Sequence, residues 1–280
     1  MDQAEITRQL PSHLRQFVAD QDYESRYSAK DQAVWIFVMR QLAQQLKNSA
    51  HPIYFEGLRR VGTPDEMLQK YFSDGADELI YIDIVASLYQ RGIDYEQIKK
   101  ASEGLYIPLT VGGGIRSVDD CSRLFDSGAD KVCINTHALQ SDSMLIDNAV
   151  QVFGSQAVVI NIEAKSIEDT WTCYSDNGRI PSFKDVVEWV AEVEDRGAGE
   201  IILQSVDRDG SRKGFDFNLI SKVMERSQVP VIISSGAGDI NHIVDVVKEF
   251  NPHGIALSSV LHYNDLDITL IKERIHNELT

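Results

Sequence analysis

From about residue 62 onward, short β-branched apolar runs alternate with stretches whose apolar residues recur at spacings of three and four. The runs that read as strands are Glu78 to Ile84, Ile107 to Val111, Lys131 to Asn135, Ala157 to Glu163, Glu200 to Val206, Val229 to Ser234 and Gly254 to Ser258. Between them lie helical patterns such as Val186, Val187, Val190, Ala191 and Val193 after Pro181, since a 3.6-residue period keeps such positions on one face. Strands that are nearly continuous apolar runs need cover on both faces, which predicts a parallel sheet wrapped by helices. Seven consecutive βα units exceed what most open doubly wound sheets of 280 residues hold. The predicted fold class is therefore α/β, a (β/α)8 TIM barrel.

Three strand entries repeat one formula: Asp74-Gly75-Ala76-Asp77-Glu78, Ser127-Gly128-Ala129-Asp130-Lys131 and Arg196-Gly197-Ala198-Gly199-Glu200. In each, glycine suits the left-handed residue that follows a helix, and a charged residue then opens a strand at the bottom rim. The chain divides into an atypical N-terminal segment, 1–61, predicted mostly helical, and a phosphate-binding β/α barrel over 62–280. Within the first segment, Ser28-Ala29-Lys30-Asp31 suits the start of a helix through Trp35, Met39, Leu42 and Leu46, yet Ala33 to Met39 is apolar enough for a strand. As a strand it supplies the first stave of the barrel, followed by an extended Pro52-Ile53-Tyr54-Phe55; as a helix it leaves seven recognisable strands.

Two strands end in glycine-rich turns: Val111-Gly112-Gly113-Gly114-Ile115-Arg116 and Ser234-Ser235-Gly236-Ala237-Gly238. Glycine admits a ligand close to the backbone, and the next helix's first amides meet an anion at the positive end of the helix dipole. A pair of such turns at matching strand ends predicts two phosphate half-sites in the barrel mouth. Composition sharpens this picture. Lys and Arg number 27 against 43 Asp and Glu, a net charge of −16, which disfavours nucleic acid and anionic membrane as partners. A phosphorylated small molecule must then be held by local amides, hydroxyls and a few placed cations. Cys121, Cys133 and Cys173 are widely spaced with no CxxC, as expected of reduced thiols. No apolar run approaches a membrane span of about 20 residues, and no signal-like core opens the chain. A cytoplasmic location is expected.

The reactive face of such a barrel is formed by the C-terminal ends of its strands. Asp83, Glu163 and the Asp207-Arg208-Asp209-Gly210 turn stand there, and converging carboxylates can divide acid and base work. For Asp207 and Asp209 the plain alternative is a turn-forming Asp before Gly. Glu163, between Ile162 and Ala164, is harder to explain as solvated surface. Asn135 and Thr136 lie beside the first glycine turn, and Ser258 and Ser259 beside the second, where an amide and hydroxyls suit phosphate. His137, His242, His253 and His262 show no metal-ligand spacing. Neither a metal nor an organic cofactor is expected.

With these residues assembled, residues 62–280 resemble the cyclase subunit of imidazole glycerol phosphate synthase, a (β/α)8 enzyme family of histidine biosynthesis. The resemblance is carried by Gly75 to Leu79 with Asp83-Ile84, Thr110 to Ser117, Gly128 to Val132 with Ile134-Asn135-Thr136, Gly199-Glu200-Ile201 with Asp207 to Gly210, Ser234 to Gly238, and His262. It implies a lyase that cleaves a bisphosphorylated ribulosyl carboxamide ribonucleotide with ammonia supplied by a glutaminase subunit docked at the barrel bottom. It also implies a catalytic group at Glu163, and the strand-end positions of Asp209 and Asp83 keep them as further catalytic candidates. Gly113, Gly114, Asn135 and Thr136 would hold one phosphate; Gly210, Gly236, Ser258 and Ser259 would hold the other. Glu78, Lys131 and Glu200 match the ammonia entrance, and Asp130 the docking face.

Two departures matter. The family's fifth-strand Asp is replaced by the longer Glu163, and its first-strand Asp has no counterpart, because Ala33 to Leu42 contains no Asp or Glu. Its basic gate residue is also missing unless Arg40 serves. Impaired activity follows as an expectation. The alternatives are a family member that channels ammonia to a sugar amidotransferase in surface-polysaccharide synthesis, which Ile162-Glu163-Ala164-Lys165 resembles, and an inactive chimeric barrel. Residues 8–60, through Leu10-Pro11-Ser12-His13-Leu14, Asp31 to Trp35 and Glu56-Gly57-Leu58-Arg59, resemble the start of bacterial biopterin-dependent aromatic amino acid hydroxylases. That family's iron-binding cluster does not follow here.

Overall fold

The apolar runs become the staves of a closed barrel. The computed structural model describes residues 33–39, 62–83, 92–140, 144–168 and 170–279. Its strands are β1 (Ala33–Met39), β2 (Glu78–Ile82), β3 (Leu109–Gly112), β4 (Lys131–Ile134), β5 (Val158–Ile167), β6 (Thr170–Ser175), β7 (Ile180–Asp185), β8 (Glu200–Ser205), β9 (Val231–Ser234) and β10 (Gly254–Leu257). Parallel pairing runs β1-β2-β3-β4-β5-β8-β9-β10 and returns to β1, so eight strands close a ring. Closure settles Ala33 to Met39 as strand. Its helical spacing loses because the gap between β2 and β10 demands a stave, and Trp35 falls in register with both Glu78 and Ala256, a case of tertiary pairing overriding local pattern. The rest of 1–61, including most of the hydroxylase-like text and Arg40, lies outside the described residues.

The helices are α1 (Pro64–Ser73), α2 (Tyr95–Ser102), α3 (Val118–Asp126), α4 (Thr136–Gln140), α5 (Met144–Phe153), α6 (Val186–Asp195), α7 (Phe217–Arg226), α8 (Ile240–Phe250), α9 (Ser259–His262) and α10 (Ile268–Leu279). Their starts are written in the sequence. Thr63 and Glu66 form a reciprocal capping box ahead of Pro64, and Ser117, Asp185 and Asp239 each accept backbone N–H groups as N-caps, satisfying donors that the first turn leaves orphaned. Gly75, Gly128 and Gly197 follow the helix ends with φ of 91°, 101° and 89°, which is the expected left-handed position of the repeated formula.

Burial separates two cores. Between sheet and helices lie large closed side chains such as Leu68, Tyr71, Leu124, Ile146 and Trp189, each worth roughly 1.5–3 kcal/mol in transfer from water. The lumen is filled by Ile80, Ile82, Cys133, Val159, Ile202, Ile232 and Ala256, so the barrel is packed rather than hollow. Cys121, Cys133 and Cys173 are free and buried.

One element departs from the expected alternation. β5 continues past Glu163 to Ile167, and β6 and β7 fold back on it as an antiparallel hairpin. The hairpin's turn, Asp176-Asn177-Gly178, has φ values of 50°, 58° and 71°, which Asp, Asn and Gly tolerate better than other residues. No helix among the described residues is long and apolar enough to cross a membrane.

Candidate active site

At the C-terminal mouth, β5 carries Glu163 on the same face as lumen-filling Val159, because alternate strand residues share a face. The Glu163 side chain is 4% exposed. Its Oε1 accepts from Asn135 Nδ2 at 2.8 Å, and its Oε2 accepts from Gly178 N at 2.8 Å. Desolvation pushes this carboxyl up to about 7, against the lowering effect of the Gly178 and Asn177 amides and with the help of negative charge on Asp176 and Asp209. A carboxyl poised at neutrality can both give and take a proton at physiological pH.

The second glycine turn and its neighbours do converge. Asp209, Gly210, Ser234, Ser235, Gly236, Ser258 and Ser259 line one solvent-open pocket with about 390 Å³ of empty space. Gly236 is required there: at φ 113°, a Cβ would meet Gly214 O at 2.4 Å. Ser235 Oγ donates to Asp209 Oδ1 at 3.3 Å. Desolvation raises the Asp209 carboxyl, with Ser235 and the Gly210 amide opposing. The residue is nonetheless exposed at the rim, so water limits that effect. Asp207 instead accepts from Ser166 N at 2.7 Å and ties its loop to the end of β5.

The first glycine turn is built by close approach. Gly113, at φ 99°, lies so near β2 that a Cβ would sit 2.3 Å from Asp83 O, and Asp83 N donates to Gly112 O at 3.0 Å. Gly114 follows at φ 75°. Asp83 is buried one residue beyond β2. Asn135 and Thr136, expected beside a phosphate, have other partners in this structure. The Asn135 amide holds Glu163, and Thr136 Oγ1 accepts from Asp176 N at 3.3 Å. Sequence reasoning missed Asp176 and the whole hairpin. The signal was the Asp-Asn-Gly turn flanked by the β-rich Thr170-Trp171-Thr172-Cys173-Tyr174 run, a hairpin pattern.

At the opposite end of the barrel, Lys131 Nζ lies 3.1 Å from Glu78 Oε2 and 3.0 Å from Glu200 Oε2. Burial raises Glu78 to about 7 despite Lys131, and burial holds Glu200 above its ordinary value against the same lysine. Lys131 is lowered by desolvation but raised more by the two carboxylates together, and it ends above its ordinary value. Asp130 Oδ2 accepts from Leu109 N at 2.8 Å, so it also clamps the entry to β3. The β1 residue in register with Glu78 is Trp35.

Three of the described histidines have polar partners. His242 Nδ1 accepts from Gly238 N, and His253 Nδ1 accepts from Val231 N. His262 Nδ1 meets Tyr71 Oη at 2.5 Å, and burial, helped by Lys70, depresses the ring to about 4. Among the described residues no cluster of three or more His, Cys, Asp or Glu side chains is arranged for a metal.

A model of the histidine biosynthesis protein family matches residues 44–267. The chain is 43% identical over 221 residues to the imidazole glycerol phosphate synthase subunit HisF of Campylobacter concisus, covering 79% of this chain and 87% of that one. It is 49% identical over 200 residues to the HisF subunit of Legionella pneumophila, covering 71% and 91% respectively. With the HisF subunit of Flavobacterium johnsoniae the identity is 39% over 223 residues, or 80% and 88% of the two chains. By sequence, closed barrel and paired glycine turns, the chain belongs to the histidine biosynthesis protein family, as a cyclase subunit of the imidazole glycerol phosphate synthase type.

Proposed function

We propose that Glu163 is the proton-transferring group of a lyase-type cyclase reaction. In that reaction, ammonia from a glutaminase subunit cleaves a bisphosphorylated ribulosyl-formimino carboxamide ribonucleotide into imidazole glycerol phosphate and aminoimidazole carboxamide ribonucleotide. The observation that carries this reading is the Glu163 carboxyl, buried in the mouth, oriented at both oxygens and brought up to about 7. Orientation by Asn135 and Gly178 fixes the direction of proton transfer, and burial fixes its pH range. Asp209, at the edge of the second pocket, is the second candidate acid or base, with Asp83 behind the first glycine turn.

The phosphates are assigned to Gly113, Gly114, Asn135 and Thr136 on one side, where the Thr136 hydroxyl accepts from Asp176 N and keeps its proton to donate, and to Gly210, Gly236, Ser258 and Ser259 on the other. Backbone amides suit this role in a chain of net charge −16, because they supply local positive potential without a surface field. Ammonia entry is assigned to the Glu78-Lys131-Glu200 cluster, with the glutaminase subunit seated around Asp130. Thr110 is in register with Lys131, and Asn161 stands two residues below Glu163. Thr110 Oγ1 and Asn161 Oδ1 are buried with no hydrogen-bond partner among the described residues, which suits a small polar passenger moving between the two ends.

Purified protein given the ribulosyl substrate and ammonium salts is expected to release imidazole glycerol phosphate, followed by chromatography. Folded protein with no product above background refutes the reading. Stimulation of a glutaminase in that circumstance would point to ammonia conduction for another acceptor.

A further inference from the structure

The β6–β7 turn brings to the mouth a carboxylate that no barrel strand supplies. Three hydrogen bonds press the hairpin onto the barrel: Asp176 N to Thr136 Oγ1, Gly178 N to Glu163 Oε2, and Gln140 Nε2 to Ser175 Oγ. The first two anchor residues flanking Asn177 to Thr136, just past β4, and to Glu163, within the adjacent β5, which sets Asp176 beside both. Of the negative groups facing Glu163, Asp176 from this turn acts more strongly than Asp209 from the loop after β8. The Asp176 Oδ1 oxygen is buried and has no hydrogen-bond partner among the described residues. β1, which borders the same mouth, contains no acidic residue.

Buried carboxylate oxygens are rarely left without a donor, and an orphan at a functional site calls for an explanation. A phosphorylated polyol carrying N–H groups brings donors of the right kind. We propose that Asp176 is a substrate-contacting carboxylate, its Oδ1 accepting a hydrogen bond from a hydroxyl or N–H group of the phosphorylated substrate beside Glu163. The inference rests on the cyclase reading above. It gives the hairpin a chemical purpose: two carboxyls approach the substrate from adjoining elements, one held by protein donors and the other offering an acceptor oxygen.

The test is product binding by calorimetry, with imidazole glycerol phosphate as probe and inorganic phosphate as control. Asp176→Asn preserves side-chain size and tolerance of the left-handed backbone, and Asp176→Gly relaxes that backbone further. Both variants are expected to weaken product binding roughly tenfold or more, the loss of a charge-assisted hydrogen bond. Phosphate affinity should stay at the wild-type value and Tm should not fall. In Asp176→Asn, Glu163 observed by 13C NMR should titrate at lower pH, since a negative group that raises it is gone. Equal product affinity in wild type and both variants overturns the proposal. Parallel loss of phosphate affinity and Tm overturns it too, because Asp176 then serves the turn alone. Failure of wild-type protein to bind product at all instead overturns the cyclase reading.

Discussion

Replacing Glu163 with Gln separates its proton chemistry from its packing. The folded-state carboxyl stands at about 7 against an ordinary 4.5, so ionising it in place costs roughly 3 kcal/mol at 1.36 kcal/mol per pH unit. A group raised in the folded state contributes stability that is fully present below its unfolded value and is lost as pH rises through the folded one. Glu163→Gln removes that loss. The variant is therefore expected to match wild type near pH 4 and to exceed it by up to ~3 kcal/mol at pH 9, a gain of roughly 6–12 °C in Tm for a domain of this size. The amide fits because its oxygen can still accept from Gly178 N, while its NH2 group donates to Asn135 once that side chain turns its own amide about. Turnover should fall by about 10²–10⁴, the usual contribution of a placed acid or base, and the limb of the wild-type profile near pH 7 should vanish. Glu163→Asp is expected to lower turnover as well. Both present hydrogen bonds are 2.8 Å, and withdrawing the carboxyl by about 1.5 Å breaks them. Thermal scans at pH 4 and 9, with single-turnover kinetics across that range, check the argument. Unchanged stability at pH 9 refutes the raised carboxyl, and unchanged turnover makes Glu163 a bystander.

Lys131→Met leaves Glu78 and Glu200 without the cation that both contact. Lys131 holds Glu78 down to about 7 against burial, and without it both carboxyls rise further; the variant should be little affected at pH 4–5, where they are protonated, and should lose stability as pH rises, by about 3–5 kcal/mol at pH 8–9. Urea unfolding at the two pH values measures this. Gly236→Ala places a Cβ 2.4 Å from Gly214 O; inorganic phosphate titration should show the second half-site lost while the first persists. Tyr71→Phe removes the partner of His262 Nδ1 and is expected to cost about 1–3 kcal/mol at pH 7, read by chemical denaturation. In the wild type the depressed histidine keeps its stabilising contribution above its ordinary pH and loses it as pH falls toward about 4; because burial and Lys70 set that shift, the variant should lose it in parallel.

The barrel was legible because its physics is local and repeated. Continuous apolar runs, N-capping residues such as Thr63, Ser117 and Asp185, and glycines after helix ends report the alternation of strand and helix from short windows. The same locality exposed Glu163 and the paired glycine turns, since a strand end followed by a turn fixes where a side chain or amide points. Three matters waited for the tertiary structure. Ala33 to Met39 carries both periods, and only the vacancy between β2 and β10 selects the strand. The assignment of Asn135 to Glu163 joins residues 28 apart in sequence, a choice made by strand neighbours that no periodicity encodes. Asp176 belongs to a hairpin whose turn was readable but whose docking on Thr136 and Glu163 was not. Local pattern sets which elements form, because capping and periodicity act within a few residues. Closure of the ring sets which side chains meet, because burial and the satisfaction of buried hydrogen bonds depend on residues distant in the chain.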